Sequence, residues 1–112
     1  MFATAVRSSK DLAAAFEYDG ETGYFYLYDD SGARGPKVVG AIRILLTAPD
    51  FGQDSVLVCW DKEERYVGLL IRGVLWAAFD AEKRKMFGGN YESGTEPNIP
   101  PNVRQKFAVY LS

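Results

Sequence analysis

The chain has 112 residues, 47% apolar and 25% charged, with seven Tyr, seven Phe, two Trp, one Cys and no His. That length fits one domain, 1–112, able to bury roughly two-thirds of its unfolded surface, and the composition is globular rather than disordered. A net charge of −2 falls short of the basic surplus that nucleic acid binding demands, and the missing histidine removes Ser-His-Asp and Cys-His catalysis and every His-bearing zinc site.

Met1 to Arg7 has neither a basic start nor a long apolar run, so no signal peptide or spanning helix is expected and the chain reads as soluble and cytoplasmic. Leu12 to Tyr18 is rich in Ala and follows Ser9, which would suit a capped helix. The turn signal Asp19-Gly20-Glu21-Thr22-Gly23 and the aromatic run Tyr24-Phe25-Tyr26-Leu27-Tyr28 beyond it favour a hairpin instead. Asp29 to Pro36 is a loop by composition, and Val38 to Leu46 is a third strand rich in β-branched residues.

Ser55 to Trp60 and Tyr66 to Ile71 are two more strands, separated by the charged turn Asp61-Lys62-Glu63-Glu64-Arg65. Cys59 lies in this apolar stretch, where a lone cysteine packs as a small hydrophobe and can form no internal disulfide. Trp60 and Trp76 read as core residues with the indole N–H at the rim. Arg72-Gly73 fits a two-residue turn into Val74 to Phe79, Gly73 supplying the positive φ such turns require. Asp80 to Phe87 suits one or two helical turns, with Asp80 as cap and Gly88-Gly89 as terminator. Asn90 to Asn98 is an irregular loop, and Val103 to Leu111 places Val103, Phe107 and Tyr110 or Leu111 on one helical face, a last strand being the alternative.

Together these segments predict an α+β domain: a mostly antiparallel meander sheet of about six strands, with a C-terminal helix on one face.

The segments 19–26 and 69–80 carry the patterns D-G-E-T-G-Y-F-Y, L-L-I-x-G and A-x-F-D. In these the chain resembles a family of small bacterial domains of unknown function. The resemblance covers residues 14 to 80 and departs at Arg72, where the family pattern has Asn, and in the segment after Asp80. It implies a shared fold and a bacterial origin, and it brings no activity.

Between Asp11 and Glu64 there are eleven acids and four bases, and from Arg65 onward four acids and seven bases. The acidic part contains the aromatic hairpin. Tyr24, Tyr26 and Tyr28 project from one side of a strand at intervals of about 7 Å, with Phe25 and Leu27 on the other. Tyr is common in ordinary strands, so five residues packed in a sheet covered on both faces is the plainer arrangement. With Phe25 and Leu27 inward and no cover outside, the tyrosines become a rigid row suited to a protein hot spot, a sugar or a stacked base.

The reading that follows is a non-enzymatic binding protein, specifically a bacterial inhibitor of the immunity type, gripping a basic protein partner through Tyr24, Tyr26, Tyr28, Asp19, Glu21 and Asp29. No cofactor, metal, nucleic acid or membrane is expected, and a homodimer through the open edge Val38 to Leu46 is compatible with the pattern. Two other classes stand beside it: a small-ligand pocket for a sugar, nucleotide or lipid, and a histidine-free hydrolase using carboxylates from Glu17, Glu21, Asp19, Asp29, Asp61 or Asp80.

Overall fold

The computed structural model describes residues 1–32 and 34–111. Strands β1 (Phe2–Val6), β2 (Leu12–Tyr18), β3 (Gly23–Asp29) and β4 (Lys37–Leu45) form one antiparallel sheet in that order. Strands β5 (Val56–Trp60), β6 (Tyr66–Ile71), β7 (Val74–Asp80) and β8 (Lys85–Gly88) form a second. Each is a meander, as consecutive strands joined by short turns must be. The antiparallel character is as expected, but the described residues contain two sheets and eight strands, not one sheet of about six. Ala33, within the expected loop Asp29 to Pro36, lies outside the described residues.

Two strands account for the difference in number. Phe2-Ala3-Thr4-Ala5-Val6 alternates exposed and half-buried residues and pairs with β2 from Phe2↔Glu17 to Val6↔Ala13. The helical turns expected after Asp80 are a tight turn instead. The Asp80 carboxylate does accept bonds from the backbone N–H groups of Glu82 and Lys83, but Arg84 is left-handed at φ 55 and the chain returns as β8. The expected C-terminal helix shrinks to α1 (Pro101–Gln105) and a 3₁₀ turn over Ala108–Tyr110. Val103 and Phe107 nonetheless turn to one side and are buried.

The two sheets face each other across an apolar core to which Phe16, Phe25, Leu27 and Ile44 contribute from one side and Val67, Leu69, Ile71 and Phe79 from the other. Phe25 and Phe79 meet with ring centroids 5.0 Å apart. A β-carbon on Gly40 would lie 2.8 Å from the Phe79 ring, so a side chain there would push the sheets apart. On its outer face the second sheet is covered by Ile99, Val103 and Phe107, which pack with Tyr66, Leu70, Leu75 and Ala78. Gly68 makes room for this cover, since a β-carbon there would strike Leu75 and Phe107 at 2.8 and 2.9 Å.

The first sheet's edges are tied down by groups from the rest of the chain, which removes strand-pairing capacity. The Gln53 side chain bonds both the N–H and the C=O of Phe2, and the Trp60 indole N–H donates to Ala5 O at 3.1 Å. On the β4 side, Asn90 N donates to Arg43 O, and the Glu92 carboxylate takes the N–H groups of Leu46 and Thr47, so this half of the edge offered for a homodimer is occupied. Among the described residues no helix is long and apolar enough to cross a membrane.

Candidate functional site

Strand alternation puts Phe25 and Leu27 in the core, at 0% and 1% exposure, and Tyr24, Tyr26 and Tyr28 on the opposite face of the first sheet, half-buried. The plainer expectation of a sheet covered on both sides therefore fails for this sheet. Register defines the face. One row runs Phe2, Glu17, Tyr24, Arg43; the next Thr4, Ala15, Tyr26, Ala41; the third Val6, Ala13, Tyr28, Val38. Phe2, Val6 and Val38 are 53%, 58% and 50% exposed, an apolar surround for the phenols that nothing in the fold buries.

The three rings do not stand upright. Tyr24 and Tyr26 stack at 5.7 Å between centroids, Tyr28 follows at 5.8 Å, and the Tyr28 hydroxyl donates to Glu17 Oε2 at 3.1 Å, across to β2. The small side chains on β2 allow this lean; Ala15, opposite Tyr26, is only 3% exposed although it points away from the core. Burial first, then the Glu17 carboxylate, pushes the Tyr26 and Tyr28 phenols above their ordinary pKa. Arg43 stands in the first row opposite Tyr24 and contributes a positive charge to this face, and it also helps to lower the Glu92 pKa.

The remaining expected site residues separate. Asp19 and Glu21 lie in the β2–β3 turn, where the Asp19 carboxylate accepts the N–H groups of Glu21 and Thr22. With Glu17, Asp19 lines a hollow of about 370 Å³ beside Tyr26. Asp29 does not join them. It falls in step with Phe25 and Leu27 rather than with the tyrosines, accepts Ser31 N and reaches Arg84 in the β7–β8 turn at 3.6 Å, so it links the two sheets. Sequence reasoning missed Glu17 and Phe2 as members of the face. The alternation of Phe2, Thr4 and Val6 was the available signal.

A second hollow, of about 400 Å³, opens between the loop after β4 and the loop after β8. Trp76, Tyr91, Leu45 and Pro49 line it together with Asp50 and Glu92. Trp76 is the extra residue of a bulge in β7: Leu69 pairs with Ala77 and Leu70 with Leu75, leaving Trp76 without an opposite number. The bulge turns Trp76 and Ala77 to the same core, and Trp76 packs edge-on against Tyr91 at 4.8 Å. The two carboxylates here are not among those named from the sequence. Hydrogen bonds from Thr47 and the Leu46 N–H hold Glu92 below its ordinary pKa, and Asp50 accepts the Tyr91 hydroxyl at 2.7 Å. The described residues contain no group of three or more Cys, Asp or Glu that could hold a metal ion. Cys59 is buried, its thiol pushed up to about 11, and Asp61 and Asp80 cap turns as their positions suggested.

A family model described as an uncharacterized protein conserved in bacteria (DUF2251) matches residues 1–102, beyond the 14 to 80 carried by the sequence patterns and past Asp80. No curated protein and no solved structure matches the chain.

Proposed function

The chain belongs to the DUF2251 family of uncharacterized bacterial proteins, and from that premise we propose that it is a binding protein, without catalytic chemistry of its own, that docks a basic protein partner on the outer face of the first sheet. One observation carries this reading: one sheet's outer face is sealed by Ile99, Val103 and Phe107, whereas the other leaves a row of stacked tyrosines ringed by exposed Phe2, Val6 and Val38. Tyrosines are strong interface anchors because they offer large rigid area with a polar tip at little entropic cost. Charge complementarity selects the partner. Glu17 lies in the row and Asp19 and Glu21 close one end, so a cationic surface is attracted and aligned. In its finer form the partner is a basic enzyme, and the chain inhibits it by covering its cationic surface, in the manner of an immunity protein.

The test is capture of partners from a bacterial lysate at low ionic strength on the immobilised full chain, with Tyr26→Ala and Glu17→Gln in parallel. Losing a hot-spot tyrosine should weaken a captured complex by about 2 kcal/mol, or roughly thirtyfold, at a temperature where thermal unfolding shows the variant still folded. A basic protein retained equally by all three forms would remove the face from the account.

A further inference from the structure

The hollow beside Trp76 is separate from the tyrosine face and built differently. Trp76 is only 7% exposed, yet among the described residues its indole N–H has no acceptor, while the Trp60 N–H is bonded to Ala5. Every sealed side-chain polar atom in the described residues does have a partner, so the Trp76 N–H keeps some contact with solvent, and Trp76 lines this hollow. At the rim, Glu92 and Asp50 are locked in place by Thr47 and Tyr91, both retaining lone pairs. Tyr91, Leu45 and Pro49 add apolar lining beside the indole donor and the two carboxylate acceptors.

This arrangement discriminates by chemistry. Two carboxylates repel an anion. A cation would leave the indole N–H donor unmet, and Asp50 already has Arg72 within 3.8 Å. A wholly apolar ligand would displace water from the indole N–H and leave it unmet. What satisfies donor, apolar lining and acceptors together is a neutral molecule with an acceptor oxygen, C–H surface and several hydroxyl donors. We propose that this hollow binds a neutral pyranose sugar, one ring oxygen or hydroxyl accepting from the Trp76 indole N–H and further hydroxyls donating to Asp50 and Glu92. The volume, about 400 Å³, falls within the range of small-ligand sites. The β7 bulge at Trp76 is the kind of irregularity that accompanies such sites.

Nitrogen-15 correlation spectra of the full chain test this directly, because the two indole N–H peaks report separately. Glucose, galactose and N-acetylglucosamine are titrated one at a time to about 50 mM, above the millimolar affinities typical of ligands this small. At least one should move the Trp76 indole peak and the backbone amides of Thr47, Asp50, Glu92 and Gly94 in a saturable way, with the Trp60 indole peak fixed. Trp76→Phe keeps an aromatic ring and removes the donor, and should weaken the amide response about fivefold or more. Silence with all three sugars, equal movement of both indoles, or undiminished binding by Trp76→Phe would overturn the proposal. So would a response confined to acetate, methylammonium or N-acetylproline amide, which would assign the hollow to an anion, a cation or a peptide carbonyl. If Trp76→Phe fails to fold, the wild-type indole peaks still decide.

Discussion

Asp80 shows how much a single capping acid holds in this fold. It is 3% exposed, forms two hydrogen bonds with the Arg65 guanidinium, at 3.0 and 3.3 Å, and caps the N–H groups of Glu82 and Lys83. Burial acts to raise its pKa, but Arg65 and the two N–H donors prevail and hold it below the ordinary 3.8. A carboxyl whose folded pKa is depressed contributes stability that is present above its unfolded value and fades as pH falls through the folded one. Asp80→Asn should therefore cost about 2 kcal/mol at pH 7 in urea unfolding, a figure kept low because Arg65 is a third exposed and stays hydrated. The difference from wild type should shrink as pH drops below about 3.8. A pH-independent gap would mean that lost hydrogen-bond acceptance, not the charge, matters. The capping roles of Asp19, Asp61 and Asp80 were legible in the sequence because they obey local turn chemistry. The roles of Asp50 and Glu92, and the reach of Asp29 to Arg84, were not, since each acts on a segment distant along the chain.

The hairpins declare themselves in the residues that form them. Gly73 at φ 76 after Arg72 at φ 53 is the expected two-residue turn, and the Ala-rich β2 is a strand despite helical propensity because β3 pairs with it along its whole length. The elements misread are those whose pairing is the only reason for their form. β8 spans Lys85–Gly88 and β1 spans Phe2–Val6, and each is an edge strand of its sheet. The C-terminal segment was read correctly as an apolar face but not as a broken helix. Its weight can be measured: Phe107 is 0% exposed over the second sheet and Val109 is 86% exposed beside it. Phe107→Ala should lower unfolding stability by about 3–5 kcal/mol, while Val109→Ala stays within about 0.5. Equal, small effects would show that this segment is not part of the core.

At the scale of the whole molecule, what the strand pattern could not reveal was the division into two sheets, because meander order is the same whether consecutive hairpins continue one sheet or fold over to begin another. That division decides function. With one sheet, a single helix would have left the location of the tyrosines open; with two, the C-terminal segment seals the second sheet and the tyrosine face of the first is left uncovered. The central claim is that this face is where a partner sits. Photo-crosslinking in living bacteria tests it most directly, with p-benzoylphenylalanine replacing Tyr26 on the face or Met86, 55% exposed on the second sheet. An adduct with a basic protein from position 26 and none from position 86 is the predicted result. Adducts from 86 alone, or equally from both, would contradict it.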